Sequence, residues 1–129
     1  MRKEVMSRRL PVTAAALTLS ALAMALPAQA SAARMTVTAD EWKLVPSPAT
    51  IGAGSTSLRY RNAGQDSHDL ALRRLDARGR PAGPTLRVQT TRPDASRTKT
   101  LSLRRGTWRM WCTIPNHRSL GMRNNLRVR

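Results

Sequence analysis

Apolar and polar residues alternate along most of the chain after residue 30. In the stretch from Ser57 to Asn62, Leu58 and Tyr60 fall on one side and Arg59 and Arg61 on the other. A period of two is typical of a β-strand with one buried face. The same pattern, bounded by Gly, Pro and Asn, predicts further short strands. These lie at 35–38, 42–45, 68–75, 85–91, 98–103, 107–112 and 125–128.

The segments between these strands have the composition of turns. Pro46-Ser47-Pro48 should end the second strand, residues 51–54 should form a turn, and residues 76–84 should form a loop rich in Gly, Pro and Arg. No internal repeat, coiled coil or long helix is indicated. About seven short strands with turns between them predict an all-β protein in which two sheets share one core.

The first thirty residues have the pattern of an export signal. A basic head is followed by an uncharged apolar stretch from Val12 to Leu26 and by Ala28-Gln29-Ala30, a small-x-small cleavage pattern. Cleavage is expected after Ala30, with Ala32 or Ala33 as alternatives. The apolar stretch is short for a membrane span, which needs about 20 residues. Arg8-Arg9 leaves twin-arginine export open beside the general secretory route. The signal (1–30) would leave one small domain (31–129).

The chain is strongly basic. It has 23 Lys and Arg residues against 7 Asp and Glu, and residues 31–129 hold 19 of the basic and 6 of the acidic residues, a net charge of +13. Nucleic-acid binding is disfavoured, because the arginines are spread over almost every segment and stacking aromatics are scarce. An acidic protein partner fits the charge, as does contact with an anionic membrane or cell wall. The alternative is that the arginines serve only solubility.

Candidate chemistry is concentrated in residues 112–122. The only cysteine, Cys112, precedes His117 and Met122 in a Cys-x4-His-x4-Met pattern, and the only other histidine is His68. Two histidines, a cysteine and a weak axial methionine form the ligand set of blue copper electron-transfer sites. A lone cysteine in an exported protein is open to oxidation unless something occupies it, and a bound metal would protect it.

Three segments resemble the cupredoxins, the type 1 or blue copper proteins of the plastocyanin and azurin kind. Gly106-Thr107-Trp108-Arg109-Met110-Trp111-Cys112 is similar to the Gly-Thr-Tyr-x-Phe-x-Cys strand of that family. Residues 121–128 resemble its Gly-Met-x-Gly-x-Leu-x-Val ending, and residues 62–69 its Asn-x-Gly-x-x-x-His-Asn/Asp segment. Asn116 and Asn124 stand where glycines are common, and asparagine tolerates a positive φ.

The resemblance implies a Greek-key β-sandwich of about seven to eight strands holding one copper ion. The metal ligands would be His68, Cys112, His117 and Met122, with Met122 in the axial position. Asp69 would form a hydrogen bond with Thr113 and so orient the ligands from outside the coordination sphere. Electrons would enter at the exposed edge of His117.

The resemblance further implies an exported, periplasmic or extracellular one-electron carrier that serves protein redox partners, acts as a monomer and catalyses nothing. An alternative is a copper-binding protein for buffering, delivery or resistance. Multicopper oxidases and nitrite reductases use a similar cysteine loop, but their further copper ions need additional histidines, which this chain lacks.

Overall fold

Nine β-strands and one short helix make up the part of the chain that the structure, a computed structural model, describes: residues 31–129. The export signal expected at residues 1–30 lies outside these residues. The elements in chain order are β1 (Ala33–Asp40), β2 (Lys43–Ser47), β3 (Thr50–Ile51), β4 (Gly54–Asn62), β5 (His68–Leu75), β6 (Pro81–Thr91), β7 (Ser96–Leu103), β8 (Gly106–Trp111), α1 (His117–Leu120) and β9 (Arg123–Val128).

The strands form two sheets. One has the order β2-β1-β4-β7 and the other the order β3-β9-β8-β5-β6. Neighbouring strands are antiparallel except for β1 with β4 and β3 with β9, which are parallel. This arrangement confirms the predicted all-β sandwich.

The hydrophobic core lies between the sheets, where the alternation predicts it. Leu58 and Tyr60 are fully buried, whereas Arg59 and Arg61 of the same strand are exposed. On β8, Trp108 and Met110 are buried against the core, and Cys112 continues the same inward side. These inward side chains exclude water from the end of β8, where the candidate ligands begin.

Besides shifts of one to three residues at the ends of several strands, three details differ from the sequence prediction. Residues 51–54 are not simply a turn, because Ile51 pairs with Val128 in the two-residue strand β3 and is buried; this strand brings the total to nine. The loop predicted at 76–84 is shorter, since β6 begins at Pro81, where a missing N–H is tolerated. Pro46 lies within β2, which is an edge strand and can accommodate proline, and the strand ends at Ser47.

Within residues 31–129, no helix combines the length and the apolar character that a membrane crossing requires. The only helix of this part, α1, has four residues.

Candidate metal centre

The loop between β8 and β9 closes on itself around the candidate ligands. Cys112 directly follows β8 and is fully buried. Its N–H donates to the carbonyl of Met122 at 3.1 Å, and the N–H of Met122 donates to the carbonyl of His117 at 3.0 Å. Asn116 has φ 69°, so it takes the left-handed conformation at the position before the loop histidine. The loop therefore brings the cysteine, histidine and methionine backbones together.

Three predicted ligands converge on one point. His68, the first residue of β5, is fully buried, and its Nδ1 lies 3.1 Å from Nδ1 of His117. Cys112 Sγ lies 3.7 Å from the same His117 nitrogen, and the three donor atoms all lie within 4.8 Å of one another. Ligand atoms about 2.0–2.3 Å from one ion lie at such separations. The three side chains are thus close enough to ligate a single metal ion.

Glu41 determines which nitrogen of His68 is available to a metal. Glu41 Oε1 lies 2.8 Å from His68 Nε2, so the carboxylate accepts the Nε2–H and leaves a lone pair on Nδ1, the nitrogen that faces His117. Hydrogen bonding of the second ring nitrogen to a carboxylate is a recurrent way of orienting metal-bound histidine. His68 can therefore bind a metal through Nδ1.

The Glu41 carboxylate is itself held by backbone groups. It accepts the N–H groups of Asp66 (2.9 Å) and Gln65 (3.0 Å). These hydrogen bonds, with a smaller effect from His68, lower the pKa of Glu41 to about 2. A Cβ at Gly64 would overlap this carboxylate, which explains the glycine of the 62–69 segment. The Glu41 carboxylate therefore stays ionised well below the pH at which a glutamate usually takes up a proton.

Trp42 covers the two histidines. Its ring meets the His117 ring edge-on with centroids 4.9 Å apart, and the His68 ring at 6.4 Å. A Cβ added to Gly121 would lie only 2.7 Å from the backbone carbonyl oxygen of Trp42. Trp42 thus fixes both the ring orientations and the end of the loop.

Asp69 and Thr113 are joined as expected from the sequence. The backbone N–H of Thr113 donates to Asp69 Oδ1 at 2.6 Å, and the Thr113 hydroxyl donates to Asp69 Oδ2. The residue after the first histidine is therefore tied to the residue after the cysteine.

Burial raises the pKa of the Cys112 thiol, and the Asp69 side chain opposes its ionisation too. A cation at the three-donor cluster would reverse this effect, because a coordinating thiol loses its proton. Met122 is fully buried, and its backbone is hydrogen-bonded to the backbones of Cys112 and His117. Its role as the axial ligand stays a prediction.

Comparison with known proteins gives one kind of match. No sequence-family model and no curated protein sequence matches the chain. Among solved structures, auracyanin from Roseiflexus castenholzii is similar with a TM-score of 0.59 and 15% identity over 78% of this chain and 99% of its own. Auracyanin A from Chloroflexus aurantiacus, a "blue" copper protein, has a TM-score of 0.59 and 16% identity over 77% and 100%. Rusticyanin from Thiobacillus ferrooxidans has a TM-score of 0.57 and 13% identity over 78% and 79%.

The chain has the cupredoxin fold. In this fold the three donors come from the start of β5 and from the loop between the last two strands, which is where the resemblance of the sequence segments places them. Asn124, in the second glycine position, lies in β9 and donates from its side chain to the carbonyl of Leu44 at 2.8 Å. The side chain of Asn124 therefore links the two sheets.

Glu41 and Trp42 are the contributors that the sequence did not reveal. Both lie in the turn between β1 and β2, far in the chain from the other site residues, and β2 begins at Lys43 rather than at Trp42 as predicted. The only signal in the sequence was an acidic residue directly before the strand predicted at 42–45. No spacing connects it with His68.

Proposed function

We propose that this protein is an exported type 1 copper protein that carries single electrons between protein partners. The observation that carries the proposal is the convergence of two histidine Nδ1 atoms and one cysteine sulfur in a buried, prearranged cluster. Imidazole and thiolate together favour copper, and the thioether of Met122 would supply a further, weak ligand. A bound copper ion would alternate between Cu(II) and Cu(I) and so take up and release one electron.

The surrounding residues suit a rigid site. Glu41 holds His68, Trp42 packs on both rings, and Asp69 ties Thr113 beside the cysteine. Ligands held by such contacts shift little when the metal changes charge, which keeps the reorganisation accompanying electron transfer small.

His117 is the proposed entry point for electrons. It is only partly buried, whereas His68 and Cys112 are fully buried. Leu120, 53% exposed, and exposed Pro115 form an apolar border on the same loop. The positive charge of the domain favours a partner with an acidic surface, and the protein is expected to act as a monomer in the periplasm or cell envelope, without catalysis.

The direct test is the visible absorption and EPR spectrum after addition of one equivalent of Cu(II). An intense visible band with narrow copper hyperfine splitting is expected, and Cys112→Ser should abolish the band because the thiolate is lost. Met122→Leu should keep the band and raise the reduction potential if Met122 is the axial ligand. The mature protein recovered from outside the cytoplasm should begin at Ser31.

A colourless protein that takes up only Cu(I) and passes it to an acceptor would contradict the electron-carrier proposal. Such a result would favour the alternative, copper buffering or delivery through the same ligands. Full occupancy by Cu(II) without the cysteine-dependent band would show that the three-donor cluster is not the binding site.

A further inference from the structure

Arginines collect on the outer face of the five-stranded sheet. Cross-strand pairing places Arg87, Ala71, Trp111 and Arg123 in one row across β6, β5, β8 and β9. In the next row Arg73 lies directly opposite Arg109. From the loop above, the Arg118 guanidinium stacks over the Trp111 ring at 5.1 Å from its centroid. We call these residues the arginine face: Arg73, Arg87, Arg109, Arg118 and Arg123, around Trp111.

This clustering is unfavourable for the isolated protein. Like charges directly opposite on neighbouring strands destabilise a sheet. Residues 31–129 contain three ion pairs, of which one depends on the protonation of His68, and none involves an arginine of this face. Asp69, the nearby acid of β5, uses both its carboxylate oxygens on Thr113. The positive charge is therefore left for a group outside the chain.

The face is recessed as well as charged. A concavity of about 480 Å³ is lined by Arg109, Arg118 and Arg123 together with Asn124 and Asn125. The Asn124 side chain is already hydrogen-bonded within the fold, so the charge of this recess comes from the three arginines. A second recess, of about 590 Å³, shares Arg118 and Arg123 and reaches the loop at Cys112. Planar guanidinium groups bind carboxylates through paired hydrogen bonds. Two adjoining recesses can receive side chains that project from a partner.

The outer face of the other sheet shows that general arginine enrichment does not explain this arrangement. There, Arg59 lies between Thr36 and Thr98, and Arg61 lies between Thr38 and Ser96. That face has a larger concavity, about 990 Å³, but only Arg34 and Arg59 contribute charge to it. Its arginines are separated by hydroxyl residues and never face one another across strands.

We infer that the arginine face is the docking surface for the carboxylate side chains of an acidic protein partner, which it places against Trp111. Trp111 directly precedes Cys112, so a partner bound here lies one residue from the buried cysteine along the chain. The inference rests on the electron-carrier proposal, which supplies the nature of this partner, and it adds the place where the partner's carboxylates bind, on the sheet beside the loop that carries His117.

A hexaglutamate peptide serves as the probe, with hexaglutamine as the uncharged control. Titration into ¹⁵N-labelled protein, copper-free and copper-loaded in separate samples, should shift the resonances of Trp111 and its arginine neighbours. Arg109→Gln/Arg123→Gln should weaken peptide binding about tenfold, since each exposed ion pair contributes modestly. Arg34→Gln/Arg59→Gln removes the same charge from the other sheet and should change affinity less than about twofold. Added salt should weaken binding to the unaltered protein.

Equal weakening by both double variants, or shifts scattered over both sheets, would overturn the inference, because net charge alone would then account for binding. Binding of phosphatidylglycerol vesicles through the same arginines, with no peptide binding, would overturn it too and indicate a membrane surface. Peptide binding at this face of the copper-free protein, together with failure to form the copper band, would refute the proposed function and leave the docking surface standing. A normal copper band without peptide binding would refute the docking surface and leave the proposed function standing.

Discussion

Replacing Glu41 by alanine should weaken copper binding while the sandwich remains folded. Glu41 Oε1 accepts three hydrogen bonds, from His68 Nε2 (2.8 Å), the Asp66 N–H (2.9 Å) and the Gln65 N–H (3.0 Å). Alanine removes all three, so His68 can rotate or move its proton to Nδ1, where it would block the metal. Loss of such a partner of a metal-bound histidine typically costs about 10–100-fold in metal affinity. We expect a loss within that range.

Glu41→Gln should separate the hydrogen bond from the charge. The glutamine oxygen can replace Oε1 toward His68, while its amide nitrogen would replace Oε2, which lies 3.0 Å from the Gln65 N–H. Affinity should fall less than in Glu41→Ala. The reduction potential should rise, because removal of a nearby negative charge disfavours Cu(II) relative to Cu(I).

Competition with a chromogenic Cu(I) chelator measures the affinities, and voltammetry measures the potential. Asp66→Asn is the matched control, since it removes one negative charge from the neighbouring loop between β4 and β5 while its exposed side chain has no hydrogen bond to the site. Wild-type affinity in Glu41→Ala, or equal potential changes in Glu41→Gln and Asp66→Asn, would refute the view that Glu41 positions His68.

Three further changes test the scaffold. Tyr60→Phe should lower the free energy of unfolding in urea by about 1 kcal/mol, because the buried hydroxyl donates to a backbone carbonyl of β5; an unchanged midpoint would contradict this. Gly121→Ala should lower the melting temperature and perturb the copper spectrum, since φ is 131° and a Cβ would lie 2.7 Å from the Trp42 carbonyl; normal values of both would refute it. The pKa of Asp76 is lowered mainly by the hydrogen bond that its carboxylate accepts from the Arg80 backbone N–H. Asp76→Asn should therefore lower the melting temperature at neutral pH, and the difference should vanish as the pH falls through the folded pKa, where the native carboxylate also becomes protonated; a difference that persists in acid would contradict it.

Much of the fold was predictable because strand periodicity and ligand spacing are local. Alternation located β4 and β8 and their inward side chains, and the spacing of Cys112 and His117 placed two donors on one loop. The two-residue strand β3 could not be predicted, because its existence depends on pairing with β9, which lies far away in the chain. The loop boundary at Pro81 was missed for the same reason, since pairing with β5 overrides local turn composition.

Glu41, the site residue that the sequence did not reveal, shows how the two sheets jointly position His68. His68 and the strand leading to Cys112 belong to the five-stranded sheet, whereas Glu41 lies in the turn between two strands of the other sheet. The hydrogen bond between Glu41 and His68 therefore crosses the sandwich, and its 2.8 Å length depends on how the sheets pack. Because close-packed interiors transmit small displacements, a change in the shared core can alter the orientation of His68 without touching any ligand. The metal centre thus depends on the packing of the whole domain as well as on the loop that carries its cysteine.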